Sequence, residues 1–302
     1  LSFSAGIGFF LMFIGLNQVG LVTLGVPGAP VALGALNKAP VLVAIAGFAL
    51  TAWGMARKLP GALLVGIAAT SILSFVLGVT PLPNAVVSLP PSVAPIVGQL
   101  DIAGALTVKA LPVVVIVFIM AFLDTIGTLI GLSARAGLLD EKGNLPDIEK
   151  PMLADALVNL VGPVLGTTTS GVFIESAVGI EEGGRTGVTA LVVAALFLLA
   201  LFFSPLFTAI PPHASGVAMI AIGVLMVSPI LKLDTSDHTE WIPALCTIAL
   251  MPFTFNVGVG MTAGLLLYPL LKVTTGRGRE VPAAMWLLAA LSLLFFAMYP
   301  YH

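Results

Sequence analysis

Apolar runs of about 17 to 25 residues, each long enough to cross a hydrocarbon core of roughly 30 Å as a helix, follow one another along the whole chain. They predict spans at 4–22, 39–56, 60–78, 110–132, 151–165, 168–184, 186–208, 213–231, 240–255 and 258–275, with a last apolar helix near 283–300. Pro, Gly or charge marks most of the breaks, as at Lys38-Ala-Pro40, Arg57-Lys-Leu-Pro60, Lys150-Pro151 and Pro211-Pro212, where a helix ends most readily.

Lys and Arg separate across these spans. Alternating the loops between two faces puts Arg57, Lys58, Arg135, Lys142, Lys150, Arg185, Lys232, Lys272, Arg277 and Arg279 on one side, and only Lys38 and Lys109 on the other. Cytoplasmic loops hold the excess of basic residues, so the larger group marks the cytoplasm and the first span starts there. A miscounted span would scramble the alternation. The Pro-rich stretch 79–109 then lies outside, and 133–150 forms the main cytoplasmic loop. Because the chain opens inside an apolar span with neither an initiator Met nor a signal peptide, it reads as a piece of a longer protein, with an even number of spans ahead of Leu1.

Composition agrees. Of 302 residues, 59% are hydrophobic and 9% charged, with a mean hydropathy of +1.14, whereas soluble domains carry charge on about a quarter of their residues. This is the composition of an all-α polytopic membrane protein. The net charge of -2 says little about partners, since charge location matters more than its sum here, and the sequence shows no nucleic-acid patch. Cys246 stands alone, which excludes an intrachain disulfide and predicts a buried core thiol.

One stretch departs from the apolar pattern. Between Gly166 and Gly171 come four successive hydroxylated residues, Thr167, Thr168, Thr169 and Ser170, and the run closes on Glu175 and Ser176. Such residues compete with helical hydrogen bonds. They predict a short extended piece inside a broken span, followed by a half-helix with free N–H groups. Hydrocarbon tolerates non-helical backbone only where it is buried in protein or lines a cavity, and discontinuous spans of this kind form substrate sites in transporters.

Of fourteen acidic residues, only Asp124, Asp155 and Glu175 fall well inside apolar spans. A carboxylate at that depth costs at least about 2.5 kcal/mol, so each needs a polar cavity or a partner. Helical spacing puts Asp124 and Thr128 on one face beside a stripe of Gly127 and Gly131, where another helix can approach closely. Asp155 and Asn159, four apart, suit a supporting hydrogen-bond network. Purely structural roles compete: Asp124 as a partner for broken backbone, and the threonines bonding back to helix carbonyls. His213, beside Pro211 and Pro212, reads as an interfacial residue, and Glu181-Glu-Gly-Gly-Arg-Thr-Gly187 as a tight cytoplasmic turn without a ligand.

No metal-ligand cluster, nucleophile elbow or phosphate-cradling loop is present in the sequence, which argues against an enzyme. Ser4-Ala-Gly-Ile-Gly8 and Ala214-Ser-Gly-Val-Ala218 open spans from opposite faces, as an inverted repeat would. The residues alone leave open an anion transporter of inverted-repeat architecture that holds sulfate or a carboxylate, against which Glu175 argues.

Asp124-Thr-Ile-Gly-Thr-Leu-Ile-Gly131, Ala136-Gly-Leu-Leu-Asp140, Leu153-Ala-Asp155, Leu165-Gly-Thr-Thr-Thr169, Ile174-Glu-Ser-Ala177, Gly183-Gly-Arg-Thr-Gly187, Leu201-Phe-Phe-Ser-Pro205, Met251-Pro-Phe-Thr-Phe255 and Thr275-Gly-Arg-Gly-Arg-Glu280 together resemble the nucleobase:cation symporter-2 family, in its AzgA-like hypoxanthine/guanine/adenine permease branch. The resemblance implies two inverted repeats of seven spans, a base-binding core and a dimerising gate, in a multi-pass protein of the cell membrane. Residues 1–105 would be gate spans of the first repeat, 106–212 half of the core, and 213–302 gate spans of the second repeat plus a C-terminal helix. The first four spans would be absent, and the chain by itself is expected not to transport.

The resemblance further implies uptake of a nucleobase, a purine foremost, driven by the proton gradient without a bound cofactor. Glu175 would hydrogen-bond the base beside Thr167, Thr168, Thr169 and Ser170. Asp124 would belong to the substrate site as well and take part in proton coupling, with Thr128, Asp155 and Asn159 around it. Relatives commonly carry an Asp three residues before Asp124, a position implicated in binding the base, and this chain has Ala121 there.

Overall fold

The computed structural model describes residues 2–25, 31–83, 85–90, 92–108, 110–141, 143–173 and 175–298. Lys109 and Lys142, used in the charge count, and Ile174 in the broken span lie outside the described residues.

The elements in chain order are α1 (Ser2–Val19), β1 (Val22–Leu24), β2 (Val31–Leu33), α2 (Ala39–Ala56), α3 (Ala62–Val76), α4 (Ile102–Ala105), α5 (Leu111–Ala136), α6 (Glu149–Val164), α7 (Ser176–Glu181), α8 (Gly187–Ala200), α9 (Ser204–Thr208), α10 (Pro212–Val227), α11 (His238–Phe253), α12 (Val257–Thr274) and α13 (Ala283–Met298), with short 3-10 turns at Leu201–Phe203, Ser228–Lys232 and Gly278–Glu280. Among the described residues six helices are long and apolar enough to cross a membrane: Ser2–Val19, Ala39–Ala56, Val113–Ala136, Gly187–Thr208, Pro212–Leu231 and Val257–Thr274.

Local chemistry sets many of the boundaries. Pro occupies the first turn of α2 and α5, where its missing N–H costs nothing. Asp237 caps α11 through Thr239 N, and Asn256 caps α12 through Val259 N at 3.2 Å. Gly137 closes α5 in the left-handed conformation.

The pattern of apolar runs missed the antiparallel hairpin, in which Val22 pairs with Leu33 and Leu24 with Val31. Strands of three residues are too short to show a period of two, and Val22 had merged with the end of the first apolar run. The span expected over 186–208 changes to a 3-10 turn at Leu201–Phe203 before α9.

Contacts divide the chain into two interleaved units: Leu1–Ile7, Ser92–Glu181 and Ser228–His302 in one, and Gly8–Pro91 and Glu182–Val227 in the other. In the second unit, Gly8 and Gly15 of α1 lie against backbone atoms of Gly223 and Gly216 of α10, so the helices cross antiparallel at two small-residue contacts. Val19, Ala44, Val217 and Ile220 form its apolar core. Helix α2 meets α3 through two reciprocal contacts, in which Thr51 fills the space over Gly66 and Thr70 the space over Gly47. Both hydroxyls donate one turn back, to Gly47 O at 2.8 Å and Gly66 O at 2.7 Å. His213 is buried and shares a 2.5 Å hydrogen bond with Ser74. It stands in the first turn of α10, where α3 offers it a hydroxyl partner that compensates its burial. Helix α8 has no buried residue.

In the first unit α11 and α12 pair closely, with Thr247 over Gly264. Cys246 on α11 is half-buried rather than enclosed, since it lies beside, not on, the face that Thr247 turns to α12. At one end of this pair Lys272, 1% exposed, faces Asp237 Oδ2 at 3.4 Å, Glu240 Oε1 at 3.2 Å and Glu280 Oε2 at 3.1 Å. Arg277 adds contacts to Asp237 and Glu280 at 2.7 and 2.8 Å.

Candidate functional site

The predicted site residues all belong to the first unit, on α5, α6 and the segment between α6 and α7. Helix α6 stops where the sequence dictates. Gly166 takes the left-handed conformation (φ 83°), its N–H donates to Pro163 O at 2.9 Å, and Thr167 N–H donates to Gly162 O at 3.1 Å. This pair of bonds is a Schellman stop. Gly98 N–H meets the next free carbonyl, Val164 O, at 2.8 Å.

Beyond the stop, 167–173 has no regular secondary structure, and helix resumes only at Ser176. The span predicted over 168–184 is thus helical for six residues alone. Glu175 directly precedes that helix, and its carbonyl accepts Val178 N–H at 3.1 Å.

A chain of polar contacts ties this segment to two helices. Thr125 Oγ1 on α5 donates to Asp155 Oδ2 on α6 at 3.1 Å. Asn159 Nδ2 donates to the same carboxylate oxygen at 3.2 Å and to Asp155 O at 3.0 Å, while its Oδ1 accepts Ser170 N–H at 3.0 Å. Both faces of the Asn159 amide are engaged, which fixes its orientation.

Asp124 lies close enough to Asp155 and Glu175 for their charges to interact. Asp155 is half-buried and engaged as described. Asp124 and Glu175 are exposed on the chain rather than enclosed, and neither side chain is hydrogen-bonded among the described residues. Thr128 is buried behind Asp124. Thr167 and Thr168 are exposed and bond locally, Thr168 Oγ1 donating to Thr169 O at 3.2 Å.

A cavity of about 630 Å³ runs along the faces of α5 and α6, lined by Asp155 but not by Asp124 or Glu175. Phe118, Ala121, Phe122, Met152, Asp155, Asn159 and Thr169 are among its walls. The rings of Phe118 and Phe122 stack at 5.9 Å, 13° from parallel, and so offer a flat apolar wall next to a polar one. Ala121 leaves this wall without a carboxylate.

Sequence reasoning did not single out Thr125, the stacked Phe pair, or the ion pair of Arg135 with Glu181. Thr125 adjoins Asp124 and was within reach of inspection. The Phe pair, four apart on an apolar face, looks like any core-facing pair.

Residues 2–264 match the sequence model described as the Permease family, that of the xanthine/uracil permeases. The chain belongs to this family. It is 43% identical over 298 residues to a protein of Methanocaldococcus jannaschii named as a permease, covering 99% of this chain and 67% of that one. It is 37% identical over 291 residues to the adenine permease AdeP of Escherichia coli, covering 96% and 65%. With the guanine/hypoxanthine permease PbuG of Bacillus subtilis it shares 34% over 298 residues, covering 98% and 67%. The chain thus spans about two thirds of the length of each of these permeases. Family and relatives are permeases, not enzymes, and together with the apolar helices they make this a multi-pass protein of the cell membrane.

Proposed function

We propose that this permease takes up a nucleobase, foremost a purine, together with protons, around Glu175 and Asp124. The observation that carries the reading is a cavity with a flat aromatic wall, lined on its polar side by Asp155, Asn159 and Thr169 of the helix and non-helical segment that lead to Glu175. Purine rings present N–H donors and acceptors around a flat apolar face. A carboxylate accepting ring N–H groups and an aromatic wall suit both features. The relatives named as adenine and guanine/hypoxanthine permeases support the same substrate class.

In this reading Glu175 binds the base, and Thr167, Thr168, Thr169 and Ser170 supply hydroxyls and exposed backbone groups. Asp124 carries the coupled proton, with Thr128, Asp155 and Asn159 holding the surroundings. Residues 106–212 serve as the moving core, 1–105 and 213–302 as the gate, which also pairs two copies. Coupling requires that proton and base favour the same conformation. An anion cargo fits poorly, because two carboxylates without a hydrogen-bond partner among the described residues would repel it.

The test is thermal stabilisation of the intact protein by hypoxanthine, guanine, adenine, xanthine and uracil, at acidic and at neutral pH. Stabilisation by at least one base, lost in Glu175→Gln, is the expected result. Stabilisation that survives Glu175→Gln would refute the assignment of Glu175, and none by any base would refute the substrate class.

A further inference from the structure

Helix α7 is the mount of Glu175, and it is six residues long. Isolated helices shorter than about 12–15 residues are marginal even with favourable sequences, so α7 takes its place from contacts with its surroundings. One anchor is Ala177, 3% exposed, in its first turn. The other is at its far end. There the carboxylate of Glu181 is paired with the guanidinium of Arg135 in the last turn of α5.

Glu181 is a poor local choice. The C-terminal end of a helix carries partial negative charge and favours Lys or Arg, yet α7 ends on Glu181 with Glu182 directly after it. The positive charge comes instead from α5, the helix that bears Asp124. Arg135 is 15% exposed and also reaches Ser228 Oγ at 3.5 Å, so its side chain is held from more than one direction. The stretch from 170 to 181 is then fastened at both ends, by Asn159 at Ser170 and by Arg135 at Glu181. Glu175 lies between, about 9 Å from Glu181 along the helix axis.

We propose that the Arg135–Glu181 ion pair is a positioning latch that sets where α7 presents Glu175 to the bound base. The proposal rests on the reading of Glu175 as the group that meets the base. Without the pair, α7 keeps its upper anchor and loses its lower one, and Glu175 samples positions that miss the base.

The test combines two measurements on the intact protein: amide hydrogen exchange through 171–181, which needs no substrate, and the KM of purine uptake in cells lacking their own purine permeases. The variants are E181Q, R135Q and the charge reversal R135E/E181R. E181Q is the cleaner single change because Ser228 keeps its contact with Arg135. In both single variants exchange is expected to quicken and KM to rise about tenfold at unchanged membrane abundance, with both restored to within about threefold by the reversal. Unchanged exchange in E181Q overturns the latch whatever the protein carries. Quickened exchange with unchanged KM overturns its role in placing Glu175. If the unaltered protein takes up no base while exchange quickens in the variants, the reading of Glu175 falls and the fastening of α7 stands.

Discussion

Ser170 donates its backbone N–H to the side-chain oxygen of Asn159 at 3.0 Å, so the non-helical segment hangs on a residue of the helix before it. The same amide holds Asp155 through its nitrogen, and Asp155 holds Thr125 of α5. One side chain thereby connects the irregular segment to two helices.

Asn159→Ala removes all three bonds of that amide and leaves Ser170 N–H without that partner. A lost hydrogen bond that leaves a group unsatisfied costs about 1–3 kcal/mol. The affinity for the base is expected to fall about tenfold, with the protein still inserted in the membrane. Isothermal titration or uptake KM checks this, and Asn159→Asp, which keeps the acceptor but faces Asp155 with a second charge, should not restore it.

Asp124→Asn separates binding from coupling. The amide keeps the shape of the side chain but cannot exchange a proton. Concentrative uptake should fall at least about tenfold, within the usual range of coupling free energies, while binding of the base in detergent stays within about threefold. Equal loss of both would show that Asp124 touches the base instead.

Gly66→Leu tests the interlock of α2 with α3. A side chain at Gly66 would overlap Thr51 Oγ1, and overpacking a close contact costs about 1–3 kcal/mol. Lower membrane abundance and a lower melting temperature in detergent are expected. The double variant Thr51→Gly/Gly66→Thr, which moves the knob across the contact, should recover part of both.

The ion cluster around Lys272 makes stability depend on pH. Hydrogen bonds from Thr239 and then Arg277 hold the Asp237 carboxyl well below the usual carboxylate range, and bonds from Arg277 and then Lys272 lower that of Glu280. Carboxylates depressed in the folded state bind fewer protons there than in the unfolded chain. Their stabilisation is therefore complete above about pH 4 and drains away as pH falls toward the folded values. Melting temperature should drop on acidification below pH of about 4, and the drop should shrink in Asp237→Asn. At neutral pH Lys272→Met, which leaves Asp237 and Glu280 to Arg277 and takes from Glu240 its partner Lys272, should lower it by several degrees.

Much of the fold was legible because a bilayer allows few solutions. The runs near 39–56, 60–78, 110–132 and 258–275 became α2, α3, α5 and α12 since helices satisfy every backbone group internally. The break after Gly166 was legible for the same reason reversed, as hydroxylated residues and glycine cannot sustain an apolar helix there. The length of α7 was not, because Ser176 to Gly184 reads equally well as a continuing span. The partner of His213 was not legible, because nothing local announces Ser74, far away in sequence.

What the sequence by itself determined is the membrane class, the spacing of the spans, the broken one, and the three carboxylates that an apolar medium makes costly. These follow from transfer energies and backbone hydrogen bonding, which act on each segment alone. Only the tertiary structure decided which groups meet: Thr125 with Asp155, Asn159 with Ser170, Thr51 with Gly66, Arg135 with Glu181, and Lys272 with its three carboxylates. Those pairings join residues on different elements, and the choice among them rests on how helices pack, which no local pattern encodes.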